Sequence, residues 1–312
     1  MINEKFPEDK TPSALEKERS FHAAFARSRL QSYIADEDAF KNIFNHIQTQ
    51  GSPLLVTGKM GSGKSALLAN FVQRWRQKQQ DGMVIEHYAG AGGEADVLGV
   101  LRRVMNEIKQ AFNRDEDIPT QPDNVFQDFA LWLLKVDKPL LLVLDGVNQF
   151  HGDIKRLMYA LPENLGEHVR IIFSAINDEA LHIANKPKWK SIQVAALTQD
   201  KRQQLVEEYL AQYNKSLGAD FTNALVHSDM GDNPLFLRVV MDELRVDATH
   251  DQLQSMLDFY LKAKNLVQLF DKVLDRCERM YKHSNVSLMM KLVYTSRYGL
   301  SETELREICG KS

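Results

Sequence analysis

The clearest chemical signature of the chain is the segment Gly58-Lys-Met-Gly-Ser-Gly-Lys64-Ser65, which matches the pattern G-x-x-x-x-G-K-[ST]. Glycines allow a loop to wrap around phosphate groups and to turn its backbone N–H groups inward. A helix that begins at the end of such a loop adds a partial positive charge. We therefore expect Lys64 to reach the β- and γ-phosphates of a nucleotide and the Ser65 hydroxyl to ligate Mg²⁺.

A second motif overlaps this loop. Gly61-Ser-Gly-Lys-Ser-Ala66 fits the pattern G-x-G-x-x-A of dinucleotide sites, in which Glu86 at the end of the next strand would bind a ribose. Because a dinucleotide site does not require Gly58, Lys64 and Ser65 together, we prefer the phosphate loop and interpret Glu86 as a solvated charge. The predicted nucleotide-binding residues of the loop are Gly58, Lys59, Met60, Gly61, Ser62, Gly63, Lys64, Ser65 and Ala66.

A carboxylate follows the most apolar run of the chain, where Leu140 to Leu144 precede Asp145. At the carboxyl end of a buried strand beside the phosphate-loop strand, Asp145 would hold the Mg²⁺ shell together with Ser65. Many ATPases place a glutamate shortly after this aspartate, but here Asn148 and Gln149 follow, and neither amide accepts a proton at neutral pH. A glutamine can still orient water, so Lys64, Asp145 and Gln149 are the predicted catalytic residues.

Short apolar runs alternate with longer amphipathic segments through the first two thirds of the chain. This rhythm predicts a parallel α/β sheet with helices between the strands. The predicted strands are 53–57, 83–88, 139–144, 169–175 and 191–197, and the predicted helices between them are 64–80, 98–112 and 124–136.

Helical patterns flank this alternating region on both sides. Residues 1–20 are polar and are expected to form a loose segment, whereas 21–50 have a helical pattern with a break near 33–36. After Leu197 the strand patterns stop and helical spacing continues. Near the end, Ser301-Glu-Thr-Glu304 is a capping box that opens a short helix, and an element starting so late indicates a truncated domain.

Composition excludes several classes of protein. The 312 residues are 44% hydrophobic and 26% charged, which is typical of a globular chain. The net charge of −3 gives no overall electrostatic attraction to nucleic acid or to an anionic membrane. The two cysteines, Cys277 and Cys309, form no CxxC motif, and no run of 18 apolar residues occurs. We therefore expect a cytoplasmic protein with no membrane partner and no overall attraction to nucleic acid, while a local basic patch stays open.

With these motifs the chain resembles the STAND class of P-loop NTPases, most closely the NACHT-type members found in nephrocystin-like and bacterial multidomain proteins. The most discriminating part is Asn233-Pro-Leu-Phe-Leu237, in a helical region about 90 residues beyond Asp145. The segments that carry the resemblance are 18–40, 53–71, 140–150, 169–175 and 231–245.

The resemblance implies a RecA-like NTPase domain over 21–197, a small helical domain over 198–283, and the beginning of a winged helix over 284–312. It also implies roles for residues outside the loop. Pro234 would lie against the adenine, Tyr33 and Ile34 would flank the base, and Ser174 would occupy the polar sensor position.

Two departures from the family pattern concern hydrolysis. Asn148 and Gln149 replace an acidic pair, and Ala175-Ile-Asn177 stands where many members carry an arginine. No arginine finger can be assigned, so we expect ATP hydrolysis to be slow.

The sequence therefore favours a nucleotide-gated switch that binds ATP or ADP with Mg²⁺, within a larger signalling or defence protein. Its protein partners, or its self-assembly, would involve regions outside this chain. Two alternatives remain at this stage. A remodelling ATPase of the AAA type would show steady turnover, and a DNA-binding ATPase of the initiator type would show salt-sensitive DNA binding.

Overall fold

The computed structural model describes most of the chain, in two compact units. The described residues are 12–31, 33–49, 51–78, 82–92, 95–177, 189–281, 286–296 and 300–310. The first unit lies within 1–31, 37–57 and 65–192, and the second within 32–36, 58–64 and 193–312. The phosphate loop is thus grouped with the C-terminal helices, while the strand before it and the helix after it are grouped with the sheet. The domain bounds inferred from the sequence stay predictions.

A five-stranded parallel sheet forms the centre of the first unit and confirms the predicted fold class. The strands are β1 (Leu54–Gly58), β2 (Met83–Tyr88), β3 (Leu140–Asp145), β4 (Val169–Ile176) and β5 (Lys190–Gln193). All six residues of β3 are buried, which explains its uninterrupted apolar run. In the parallel register, Leu140 lies opposite Met83 on one side and Val169 on the other.

The strand order is β2-β3-β4-β1-β5, so β4 lies between the loop-bearing β1 and the aspartate-bearing β3. The expectation that β3 lies directly beside β1 is therefore wrong. The physical consequence is that a residue near the end of β4 separates the two motif-bearing strands. That residue is Ser174, which is fully buried.

Six α-helices are described in the first unit. They are α1 (Ala14–Leu30), α2 (Glu37–Thr49), α3 (Lys64–Lys78), α4 (Val97–Ala111), α5 (Pro122–Leu134) and α6 (Ile154–Ala160). The expectation of a loose segment over 1–20 is wrong from Ala14 onward, because the Ser13 hydroxyl and the Glu16 carboxylate form a capping box that starts α1. Residues 1–11 lie outside the described part of the chain. The break predicted near 33–36 is confirmed between α1 and α2.

The hydrophobic core of the first unit lies between the sheet and its helices. On α4, Val97, Val100, Leu101, Val104 and Ile108 are all buried, and they fall on one helical face. This face packs with residues of β3 and β4 in one cluster, which fixes the sheet that carries Asp145 and Ser174.

The second unit contains the remaining seven described α-helices. They are α7 (Gln199–Ala211), α8 (Ala219–Val226), α9 (Pro234–Asp247), α10 (Leu253–Leu261), α11 (Leu266–Met280), α12 (Val286–Thr295) and α13 (Glu302–Cys309). Helix α13 opens with the predicted capping box of Ser301 and Glu304. The start of a winged helix stays a prediction. Among the described helices, none is both long enough and apolar enough to cross a membrane.

Helix α1 covers the open side of β2, which is an edge strand. The buried His22 imidazole accepts a hydrogen bond at Nδ1 from the Tyr88 backbone N–H, at 3.1 Å. Its Nε2 lies 3.9 Å from the Glu18 carboxylate. Burial lowers the pKa of His22, and the positive charge of Arg103 lowers it further, although Glu18 acts in the opposite direction. The contact with Tyr88 therefore requires a neutral imidazole.

This contact predicts acid sensitivity. Since the pKa of His22 is lower in the folded than in the unfolded protein, the unfolded state binds more protons below about pH 6.5 and stability falls with decreasing pH. His22→Asn keeps an acceptor for the Tyr88 N–H and removes the titrating ring. Between pH 7.5 and 5.5 the parent should lose roughly 1 kcal/mol more unfolding free energy than the variant, as measured by urea denaturation.

A pH dependence remains in the variant, because burial also lowers the pKa of His46. His46→Asn is therefore the matched comparison. Its effect on the pH dependence of the unfolding free energy should add to the effect of His22→Asn. Identical pH slopes for the parent and His22→Asn would show that His22 does not contribute to the acid sensitivity.

Candidate functional site

The loop between β1 and α3 contains two glycines in the left-handed backbone region. Gly61 and Gly63 have positive φ angles of 76° and 93°, which favour glycine. The Lys64 ammonium donates hydrogen bonds to the carbonyls of Gly58 at 2.9 Å and Lys59 at 3.0 Å. The loop therefore closes on its own lysine, which holds the side chain at the start of α3.

Close packing at Gly58 leaves no room for a side chain there. A Cβ on Gly58 would lie 2.6 Å from the Ser62 hydroxyl oxygen. That oxygen is buried and has no hydrogen-bond partner among the described residues. A buried polar atom without a hydrogen-bond partner destabilises the folded state. Such an atom is typical of a place where a ligand supplies the missing hydrogen bond. The loop thus fits an oxygen-rich anion.

The sheet contributes a carboxylate that is held by two hydroxyl groups. Asp145, only 4% exposed, accepts a hydrogen bond from the Ser65 hydroxyl at 2.6 Å through Oδ2. Its Oδ1 accepts a hydrogen bond from Ser174, whose own oxygen accepts the Gly146 N–H at 2.9 Å. Carboxylate and hydroxyl oxygens are the ligands that Mg²⁺ prefers in proteins, so this group of residues fits that ion.

Within the second unit, the N-terminus of α9 lies on the phosphate loop. Asn233 is the N-cap of α9 and donates from Nδ2 to the Met60 carbonyl at 2.9 Å. Pro234 is the first residue of the helix, and its Cγ would lie 4.0 Å from a Cβ placed on Gly63. The structure therefore brings the predicted Pro234 next to the loop.

Comparison with known families identifies the domain. A NACHT domain model matches residues 52–213, more than half of the chain. The chain belongs to the NACHT family. The predicted resemblance is therefore confirmed. Membership of this family implies a nucleotide-binding domain.

Relatives of this NACHT chain are much longer proteins. A TPR repeat-containing protein of Dictyostelium discoideum is 25% identical over 382 residues, covering 97% of this chain and 23% of that protein. Telomerase protein component 1 of Mus musculus is 26% identical over 272 residues, covering 81% of this chain and 10% of that protein. Nephrocystin-3 of Homo sapiens is 22% identical over 269 residues, covering 82% of this chain and 20% of that protein. The chain spans less than a quarter of the length of these relatives.

Solved structures support the same fold. The Walker-type ATPase of Pyrococcus abyssi superposes with a TM-score of 0.51 at 14% identity, covering 88% of both chains. The Orc1 protein of Aeropyrum pernix, solved in complex with DNA, gives a TM-score of 0.50 at 14% identity, covering 90% of this chain and 78% of that chain. At these identities the likeness shows the P-loop NTPase fold alone.

The two amides after Asp145 differ in their surroundings in this NACHT domain. Both lie in a 3-10 turn, Val147–Gln149, that follows Gly146. Asn148 accepts a hydrogen bond from the Ile176 N–H at 3.3 Å, so it joins this turn to the end of β4. The Gln149 side chain is exposed. Of the two, Gln149 is therefore the one whose side chain is open to solvent, where it could meet a water molecule.

Glu86 is neither a solvated charge nor placed as a ribose-binding carboxylate, the two environments considered from the sequence. It is 8% exposed, its Oε1 lies 2.5 Å from the Arg76 guanidinium, and its Oε2 accepts the Tyr88 hydroxyl at 2.6 Å. The interpretation as a solvated charge is wrong, because Arg76 on α3 compensates the buried carboxylate. Both oxygens already have partners, so the geometry gives no support to a ribose-binding role.

The segment predicted to flank the base is part of the second unit. Ile34 is 9% exposed and belongs to the core cluster formed by α7 to α11. Tyr33 is half-buried, and the Asp36 carboxylate lies 3.9 Å from the Lys201 ammonium. Ile34 thus has a packing role in the unit that contains the phosphate loop.

Sequence reasoning missed the contact between Asn233 and Met60. Asn before Pro is an ordinary helix start, in which the asparagine caps the helix and proline takes the first position. Nothing in that local pattern shows that the same side chain also reaches a loop 173 residues away.

Proposed function

We propose that this NACHT chain binds ATP and ADP with Mg²⁺ and acts as a nucleotide-gated switch with slow hydrolysis. The observation that carries the proposal is the contact between Ser65 and Asp145, which joins the end of the phosphate motif to the strand-end carboxylate. An unrelated glycine-rich turn has no reason to place its last hydroxyl on a buried acid. The proposal is tested by nucleotide and metal binding.

Different groups of the loop would contact the phosphates. Backbone N–H groups of the loop and the start of α3 would surround the oxygens, and the buried Ser62 hydroxyl would gain a partner. Lys64 would exchange its two carbonyl acceptors for the β- and γ-phosphates, which carry full negative charge.

Mg²⁺ would be held at Ser65 and Asp145. When bound, it neutralises charge on the phosphates and orients them for attack. Ser174 would keep the Asp145 carboxylate in position through its hydroxyl group. For the base, Pro234 lies beside the loop glycines, and Tyr33 and Ile34 belong to the same unit as the loop.

Slow turnover is proposed from the residues that follow Asp145. Gln149 is exposed and can orient a water molecule, but its amide cannot accept the proton that the water loses. Asn148 is tied to the backbone of β4 and has the same chemical limitation. Hydrolysis that is much slower than binding suits a switch that stays on until it is reset.

A place in a larger protein is proposed from the relatives, which are at least four times as long as their match to this chain. One of them is described as containing TPR repeats. We propose that regions outside this chain engage protein partners or assemble, and that the nucleotide state of this module controls them. Binding of nucleic acid is not proposed.

Removing the loop lysine tests nucleotide binding. Lys64→Ala should lower ATP affinity by at least about tenfold, ~1.4 kcal/mol, because a charge-assisted contact to phosphate is lost. Lys155→Ala is the matched control, since Lys155 is an exposed lysine of α6 and lies outside the phosphate loop. Isothermal titration calorimetry gives both affinities. If Lys64→Ala binds ATP as tightly as the parent, the phosphate-loop assignment is wrong.

Neutralising Asp145 tests the metal. Asp145→Asn keeps the size of the side chain, and an amide can still exchange hydrogen bonds with the Ser65 and Ser174 hydroxyls. The gain in ADP affinity on adding Mg²⁺ should shrink by at least about fivefold, while metal-free ADP binding persists. Calorimetry with Mg²⁺ and with EDTA measures this difference. Equal Mg²⁺ dependence in both proteins would leave Asp145 as a structural residue only.

Supplying a carboxylate tests the hydrolysis step. The parent should hydrolyse ATP well below ~1 s⁻¹, and Gln149→Glu should raise the single-turnover rate about tenfold or more if the missing base is limiting. Asn148→Asp is the matched control, since that side chain is already engaged with the Ile176 N–H. Fast single turnover by the parent, unchanged in Gln149→Glu and Gln149→Ala, would contradict this role and favour a remodelling ATPase.

A further inference from the structure

One carboxamide joins the phosphate loop to helix α9 within the second unit. The Asn233 Oδ1 accepts hydrogen bonds from the Leu235 N–H at 3.0 Å and the Phe236 N–H at 3.2 Å, which caps α9. Its Nδ2 donates to the Met60 carbonyl at 2.9 Å. The two ends of one amide group thus serve two different elements, and neither contact can move without the other.

A second hydrogen bond lies beside the first. The Leu235 N–H also donates to the Gly61 carbonyl at 3.3 Å. Two consecutive loop carbonyls, Met60 and Gly61, are therefore held by the first turn of α9. Because a trans peptide points its C=O and N–H in opposite directions, fixing the Met60 carbonyl directs the Gly61 N–H away from α9.

Gly61 itself shows how close this contact is. A Cβ on Gly61 would lie 2.6 Å from the Asn233 Oδ1 and 2.9 Å from the Leu235 Cβ. Any side chain at position 61 would push α9 off the loop. The motif G-x-x-x-x-G-K-[ST] does not require glycine at this position. The structure gives two reasons for it, the positive φ of 76° and the contact with α9.

We infer that Asn233 is a positioning residue of the nucleotide site, which holds the loop in its phosphate-binding conformation and transmits phosphate occupancy to α9. The inference rests on the proposed nucleotide binding. The link is reciprocal: whatever stabilises the loop conformation also stabilises the Asn233 contact, and loss of the contact lowers the affinity for nucleotide.

Asn233→Ser separates the two roles of the side chain. Serine is a good N-cap and carries no charge, so α9 remains capped. Its hydroxyl is too short to cap α9 and reach the Met60 carbonyl together. Asn233→Ala removes the cap as well as the loop contact, and it reports how much of any effect comes from the helix itself.

The experiment measures ADP·Mg²⁺ affinity by calorimetry and amide hydrogen exchange on the full 312-residue chain. Asn233→Ser should keep the unfolding midpoint of the parent, bind ADP about three- to tenfold more weakly, and show faster exchange at residues 60–62. In the parent, ADP should slow exchange at 58–63 and at 235–237. In Asn233→Ser, protection at 235–237 should be lost while protection of the loop remains.

A double-mutant cycle with Gly61→Ala tests whether Asn233 affects nucleotide binding through the contact between α9 and the loop. The added Cβ should already displace α9, so Asn233→Ser should weaken ADP binding much less in the Gly61→Ala background than in the parent. Gly166→Ala is the control for backbone strain, because Gly166 has a φ of 79° and a Cβ added there would have no atom within 4 Å. It should leave ADP affinity unchanged.

Different results overturn the two proposals. If the parent and Asn233→Ser bind ADP equally and ADP protects 235–237 in both, Asn233 is only a helix cap and the inference is wrong. Additive effects of Gly61→Ala and Asn233→Ser would also contradict it. If the parent binds no ADP at all, the proposed nucleotide function fails, and the assignment of Asn233 fails with it.

Discussion

The buried carboxylate of Asp145 is the constraint on which the arrangement of the sheet depends. Placing a charged group at 4% exposure is costly unless hydrogen bonds replace the lost water. Ser65 on α3 and Ser174 on β4 supply two of them. Both of these donors are neutral hydroxyl groups. The strand order β3-β4-β1 is what allows two separate elements to meet one acid.

A second set of buried charges fixes the edge of the same sheet. The carboxylates of Glu86 and Glu107 are paired with the guanidinium groups of Arg76, Arg19 and Arg103. The Arg76–Glu86 pair connects α3 with β2, and the Arg19–Glu107 pair connects α1 with α4. Arg103 on α4 also donates to the Glu86 carbonyl of β2. An uncovered edge strand would offer its N–H and C=O groups to other chains, and the hydrogen bond from the Tyr88 N–H to His22 removes one of these sites. The cost of covering the edge in this way is the dependence on a neutral histidine.

Much of the first unit is predictable from sequence because buried parallel strands have a simple signature. β1, β3 and β4 are rich in apolar residues and β2 begins with three of them, and the structure places all four strands within two residues of the predicted bounds. Strand order has no such signature, because it depends on where each helical connection between strands packs on the sheet. The position of β4 beside β1 is therefore not predictable from the pattern of apolar residues. Ion pairs are equally hard to predict from sequence. Arg76, which compensates the charge of Glu86, lies on a helix whose rotation about its axis cannot be deduced from the charge pattern alone. The start of α1 is predictable, because Ser13 and Glu16 have capping-box spacing.

The loop shows most clearly where sequence reasoning stops. Gly58, Gly63, Lys64 and Ser65 are explained by phosphate chemistry, which is local and has a fixed spacing. Gly61 is not part of that pattern, and its presence is what makes a dinucleotide motif fit the same segment. The structure gives it another cause, because Asn233 and Leu235 occupy the space that a side chain would need. A residue that looks like half of a cofactor motif is thus explained by its left-handed backbone and by packing against a helix whose capping residue lies 173 residues from Met60 in the chain. Local patterns reveal the chemistry of a site, whereas the elements that hold it in place are known only once the chain is folded.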